Sequence, residues 1–242
     1  MKYLLEIAYD GANYKGWQFQ KNERTIQGIL EEKLSVILRD NIKLHAAGRT
    51  DTGVHAKMQC AHFEILKEIN KEKVKYSLNS LLKNETIIVI NIKEVDNVFH
   101  ARFSCLMKEY RYNLLIGEHD VFLNNRYWLV PKFDIEKAQE CANYFVGNHN
   151  FSSFRDSQCQ ALSPVRTIKS FKFEQKNKSI TAIIQAKSFL HHQVRIMIGT
   201  IFEITSKKEN SSKIMLIIEQ KNRKFAGLTA PAKGLFLEKI QY

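Results

Sequence analysis

Apolar and polar residues alternate from residue 2 to residue 10, the period of a half-buried strand. After a connection rich in Gly, Asn and Tyr the period lengthens. Ile26, Ile29, Leu30, Leu34, Ile37 and Leu38 then share one face of a helix, with Thr25 placed as its N-cap. Strands are predicted near residues 43–47 and 57–65, a helix near 72–82, and a strand over the β-branched run 86–95. The second half repeats the theme. It offers a strand at 107–116, a helix at 134–146, paired strands at 167–175 and 179–187, helices at 190–205 and near 211–219, and a closing strand at 235–240.

Each half therefore reads roughly β-α-β-β-α-β, the order of a ferredoxin-like unit. Only three prolines occur (Pro131, Pro164, Pro231), and no low-complexity linker separates the halves. The predicted fold is α+β: two intimately packed ferredoxin-like halves, residues 1–105 and 106–242, with their sheets joined and a cleft at the junction near residues 98–106.

Composition narrows the class. No stretch approaches the ~20 consecutive apolar residues of a membrane span, and Glu6 comes too early for a signal peptide. The four cysteines (Cys60, Cys105, Cys141, Cys159) have neither zinc-site nor disulfide-scaffold spacing, so reduced thiols in a cytoplasmic protein are expected. The net charge of +12 is unevenly spread: residues 1–100 carry 15 basic against 13 acidic residues, the remainder 22 against 12. Such an excess favours a polyanionic partner, while a lysine-rich solubilising surface is the plain alternative.

Three segments could carry chemistry. In Gly48-Arg49-Thr50-Asp51-Thr52-Gly53-Val54-His55-Ala56 one short acid lies between two turn-forming glycines. Either this is an ordinary tight corner or it holds a carboxylate toward a substrate, with Arg49 suited to a phosphate and Asp51 to a nucleophile or base. In Lys108-Glu109-Tyr110-Arg111-Tyr112, strand alternation sends Lys108, Tyr110 and Tyr112 to one face. That face suits base stacking beside phosphate, and equally a core of tyrosines. In Phe189-Leu190-His191-His192-Gln193-Val194-Arg195-Ile196-Met197-Ile198-Gly199, apolar neighbours leave Arg195 part-buried and in need of a carboxylate from elsewhere in the fold. Gly199 would admit a close backbone, and adjacent helix positions about 100° apart make a His191–His192 metal site unexpected. The loop at residues 150–155 and the segment 226–235, ending in Leu235, read as packing when taken alone.

Taken together these segments resemble the tRNA pseudouridine synthase A (TruA) family. The likeness rests on Ala47–Ala56 and on Tyr9-Asp10-Gly11, Gly16-Trp17-Gln18, Arg24-Thr25-Ile26-Gln27-Gly28 and Phe99-His100-Ala101-Arg102-Phe103. It continues through 108–112, 149–155, Ser163-Pro164-Val165-Arg166, 189–195 and 229–237, and so covers nearly the whole chain. The resemblance implies two ferredoxin-like halves around a central basic cleft, in a homodimeric enzyme without cofactor or metal. That enzyme would isomerise uridine to pseudouridine in the tRNA anticodon stem-loop, at positions 38 to 40. Asp51 would be the nucleophile, Arg195 its ion-pair partner, and Tyr110 the ring stacked on the target base. Arg49 would hold the displaced nucleotide, and Leu235 would line the base pocket. Lys15, between two matched segments, and Arg24, Lys108, Arg155 and His191, within such segments, would contact RNA. The sequence departs from the pattern at Thr52 (usually alanine), at Ala46 (often glycine) and at Lys83-Asn84-Glu85, where a proline-containing turn is usual. A non-catalytic RNA-binding protein on the same fold is the main alternative, and a hydrolase using Asp51 ranks behind it.

Overall fold

The computed structural model describes residues 1–118 and 120–242. They form two compact units, Met1–Leu106 with Phe236–Tyr242, and Met107–Leu235.

The first unit contains β1 (Lys2–Tyr9), α1 (Ile26–Leu38), β2 (His45–Ala46), β3 (His55–Glu64), α2 (Lys71–Leu81) and β4 (Ile87–Val95). β1 lies between β4 and β3 and is antiparallel to both. The short β2 pairs with β3 through His45 opposite His62, so the order β4-β1-β3-β2 is that of a ferredoxin-like unit. Thr25 caps α1 as expected, its side chain accepting from Gly28 N–H, and Asn70 caps α2 in the same way from Lys73. The pairs Tyr3–Phe63, Leu5–Ala61 and Ile7–Gln59 put buried side chains on one face of the sheet. The buried stripes of α1 (Ile26, Leu30, Leu34) and α2 (Val74, Leu78) complete this core, with α2 lying on β4 and against α1.

The second unit contains β5 (Met107–Ile116), β6 (Trp128–Val130), α3 (Ile135–Asn143), β7 (Gly147–Asn150), β8 (Val165–Lys176), β9 (Ser179–Ala186), α4 (Gln193–Ser206) and α5 (Lys213–Gln220). Its sheet runs β5-β9-β8-β7, antiparallel throughout, with β6 parallel to β5. The run β5-β9-β8 is the order that a ferredoxin-like unit gives its first, third and second strands. Phe145, Phe151, Phe154 and Phe171 form a fully buried aromatic cluster beneath it, with Phe145 edge-on to Phe154 at 4.9 Å.

The chain closes with β10 (Leu235–Gln241), the strand expected over 235–240, and its residues from Phe236 onward group with the first unit. There Phe236 and Leu237 pair in parallel with His55 and Ala56 of β3, and the Phe236 ring stacks on His55 at 4.5 Å. Because β2 is only two residues long, the outer edge of β3 remains open at its His55 end, and β10 occupies it.

Candidate active-site residues

Asp51 stands at the start of a turn closed by Val54 N–H to the Asp51 carbonyl at 3.1 Å. Gly53 occupies the third position with φ +78°, a conformation that a side chain would strain. Gly48, also expected to turn the chain, is not among the positive-φ glycines, and its carbonyl instead accepts from the buried Gln59 amide at 2.8 Å. The side of the turn is held by Thr50, whose hydroxyl bonds the Tyr9 phenol at 2.8 Å and whose carbonyl accepts from Trp17 N–H at 3.0 Å. Burial, with a smaller push from the Asp51 charge against the hydrogen bonds of Thr50 and Gln59, carries the Tyr9 phenol up to about 12. It therefore stays a neutral hydrogen-bonding partner at physiological pH.

The connection between β1 and α1 packs directly on this turn. A Cβ on Gly11 would lie 1.9 Å from the Val54 carbonyl oxygen, and one on Gly16 (φ +84°) 2.7 Å from that of Thr50. Gly11 N–H also donates to Nδ1 of the buried His55 at 3.1 Å. The two glycines thus allow backbone to approach backbone where Asp51 is presented. Asp51 itself is half-buried, and Arg49 and Thr52 are exposed.

In the second unit, β5 alternates as expected, with Lys108, Tyr110, Tyr112 and Leu114 buried. Tyr110 meets Phe189 edge-on at 5.2 Å. On the opposite face Glu109 takes Arg111 Nε at 3.2 Å and the Gln185 amide at 2.7 Å. Tyr112 donates to the Pro231 carbonyl at 2.8 Å, and burial pushes its phenol well up despite the opposing charge of Arg195.

Arg195 falls in the first turn of α4, because the helix starts at Gln193 and not near residue 190. A cation there opposes the helix dipole and calls for an anionic counterpart. Its backbone and side chain are both tied to Ala230: Nε donates to the Ala230 carbonyl at 2.8 Å. The expected close approach at Gly199 is present, with a Cβ there only 2.0 Å from the Leu228 carbonyl oxygen. Leu228 N–H bonds Glu203 at 2.7 Å, Gly227 N–H bonds Thr200 at 2.9 Å, and Gly234 lies against Tyr112. The segment 226–235 is therefore laid along α4 and β5, and it delivers a buried Leu235 to the start of β10.

His191 and His192 lie before α4, not within it, so the helical-spacing argument does not apply to them. His192 is the N-cap residue at φ +60°, and the two rings sit 4.0 Å apart. Among the other cations, Lys15 is exposed, and Lys108 is buried. Arg155 is half-buried, and His191 is exposed. Arg24 is paired with Glu85 and lies over the Tyr14 ring at 5.3 Å. Glu85 also accepts from the Tyr14 hydroxyl at 2.7 Å, so this unusual residue in the Lys83–Glu85 turn anchors the β1–α1 connection. Gln59 and Asp156 were not singled out in the sequence. For Gln59 the available signal is an amide at a buried strand position, where an unpartnered polar group would be costly.

The chain matches the tRNA pseudouridine synthase family over residues 7–104 and 141–242. A curated relative named tRNA pseudouridine synthase A from Ehrlichia canis is 39% identical over all of both chains. Proteins of the same name from Wolbachia pipientis wMel and Thermoanaerobacter pseudethanolicus are 38% and 37% identical. The first is aligned over the full length of both chains, the second over 99% of this chain and 98% of its own.

Proposed function

Because this chain belongs to the tRNA pseudouridine synthase family, we propose that it converts uridine to pseudouridine in the anticodon stem-loop of tRNA, at positions 38 to 40. Asp51 is the nucleophile in this reading. The observation that carries it is the held turn: a half-buried carboxylate residue clamped through Thr50, Val54 and the glycines packed behind them. A carboxylate that must meet one atom of a substrate gains from such pre-organisation.

The reaction breaks the bond from ribose C1′ to uracil N1 and forms one from C1′ to C5. The C5 hydrogen leaves as a proton, and N1 acquires one. Atoms and electrons balance within substrate and water. Asp51 attacks the base or the ribose, or promotes loss of the base through a glycal, and each route ends in the same product. Arg195 serves as counter-ion to Asp51, keeping it ionised and aimed. Tyr110 stacks on the target base, which offsets the few kcal/mol needed to unstack a nucleotide. Arg49 takes the phosphate of the displaced nucleotide, Leu235 lines the base, and Lys15, Arg24, Lys108, Arg155 and His191 contact RNA. The basic excess of the chain, +12 overall, supports a tRNA substrate. The same reading takes the working enzyme as a homodimer in the cytoplasm. No helix among the described residues is long and apolar enough to cross a membrane.

The test uses unmodified tRNA transcripts tritiated at uridine C5. Release of tritium by the wild type but not by Asp51→Ala, with tRNA binding retained, is expected. Binding without release from either protein would point to the non-catalytic RNA-binding alternative.

A further inference from the structure

One carboxylate outside the roles assigned above joins the Arg155 loop to the entry of α4. Asp156 Oδ1 accepts from Gln158 N–H at 2.9 Å, and Oδ2 lies 3.0 Å from His192 Nδ1. Nδ1 of His191 is 3.7 Å from Oδ1, and Asp156 N–H donates to the His191 carbonyl at 3.1 Å. The Asp156 side chain therefore reaches both histidines, and its backbone N–H holds His191. Burial by itself would raise the Asp156 carboxyl, but Gln158 N–H and the two imidazoles outweigh it and hold it below the usual carboxylate value. An ionised carboxylate only accepts hydrogen bonds, so the hydrogen must sit on Nδ1 of His192.

The backbone at His192 gives this contact its consequence. His192 is the N-cap of α4 in the left-handed region, a conformation costly to any residue with a Cβ, and its side chain makes no capping bond to the helix. The ring is turned to Asp156 instead. Three residues later comes Arg195, whose guanidinium and carbonyl are both tied to Ala230. A change in the His192 ring or backbone is passed to the first turn of α4, because Ile196 N–H bonds the His192 carbonyl at 2.9 Å.

We propose that Asp156 is a positioning residue for the isomerisation, locking the tautomer and orientation of His192 and through it the α4 entry that presents Arg195. This rests on the functional reading above. Four variants in the full-length protein test it: Asp156→Ala, Asp156→Asn, His192→Gly and the double variant Asp156→Ala/His192→Gly. Glycine accepts the left-handed backbone, so His192→Gly keeps the fold while removing the ring. The nitrogen-15 shifts of the His192 ring, read without RNA, should show hydrogen on Nδ1 in the wild type and its loss in Asp156→Ala. Tritium release by Asp156→Ala should fall about tenfold in kcat with KM for tRNA little changed. Asp156→Asn, whose carbonyl can still accept from Nδ1–H, should recover most of it. His192→Gly should match Asp156→Ala, and the double variant should be no worse than either single one. Additive losses, an unchanged kcat in Asp156→Ala, or an Nδ1–H signal that survives there would each overturn the proposal. Should the wild type release no tritium while the ring signal behaves as expected, the isomerase reading fails and the Asp156–His192 coupling stands.

Discussion

Arg195 and Ala230 hold each other at two points: Arg195 Nε donates to the Ala230 carbonyl at 2.8 Å, and Ala230 N–H returns a bond to the Arg195 carbonyl at 3.1 Å. The guanidinium is thereby oriented through Nε. A lysine has the same charge but only a mobile ammonium on a flexible stem.

Arg195→Lys should therefore cost more than its unchanged charge suggests. We expect tritium release to fall by roughly 100-fold, with a loss of about 1.5–3 kcal/mol in urea denaturation for the charged hydrogen bond. Near-wild-type turnover by the lysine variant would show that the tie to Ala230 is incidental.

Asp51→Asn preserves the turn, because Val54 N–H bonds the backbone carbonyl of residue 51 and not its carboxylate. The fold and the affinity for tRNA, measured by filter binding, should stay within about threefold of wild type, a difference under 1 kcal/mol. Product should vanish. Residual turnover at even a tenth of the wild-type rate would remove Asp51 from the nucleophile's role.

Gly11→Ala places a Cβ 1.9 Å from the Val54 carbonyl oxygen, against backbone that cannot easily yield. We expect destabilisation of about 3 kcal/mol, at the upper end for overpacking. Activity per folded molecule should fall as well, because Val54 closes the Asp51 turn. Thermal melting and tritium release on the same sample measure both, and normal activity in a destabilised variant would separate the β1–α1 connection from the site.

Tyr110→Phe keeps the ring that meets Phe189 edge-on at 5.2 Å, whereas Tyr110→Ala removes it. If the ring stacks on the target base, the phenylalanine variant binds tRNA like wild type and the alanine variant loses about 1–3 kcal/mol of affinity. Any deficit of Tyr110→Phe in rate alone then belongs to the hydroxyl. Equal binding by both variants would argue for a purely packing tyrosine.

His62 is pushed down to about 4 by burial first, then by His100, His45 and Lys2. It is neutral in the fold, with Nδ1 accepting from Ala101 N–H at 3.2 Å, but charged in the unfolded chain below its ordinary 6.5. Its contribution to stability is whole above 6.5 and is lost progressively as pH falls toward about 4. The urea midpoint should therefore drop from pH 7.5 to pH 5. His62→Asn, which can still accept from Ala101, should shrink that drop, and an unchanged drop would assign the acid sensitivity to other groups.

The order of the longer strands and helices was legible in the sequence because it depends on neighbours within a few residues, whereas the short β6 and β7 were not among the predicted strands. The period-2 run of β5 placed Lys108, Tyr110 and Tyr112 on one buried face, and Thr25 marked the start of α1. Gly199 announced a close backbone contact, which the Leu228 carbonyl makes. The nine-residue segment around Asp51 stood out by its density of glycines and hydrogen-bonding groups.

What the sequence by itself determined was thus the local conformations and the identity of the reactive side chains, both set by short-range sterics and residue chemistry. Only the tertiary structure decided which distant backbone each glycine admits, since Gly11 and Val54 are far apart in the chain. It decided that His191 and His192 precede α4 and that the His192 ring meets Asp156, a contact between residues remote in sequence. It also set the start of β10 beside β3, whose edge the two-residue β2 leaves uncovered at the His55 end. Contacts between residues remote in sequence leave no periodic trace, and those contacts are what hold Asp51 and Arg195 in place.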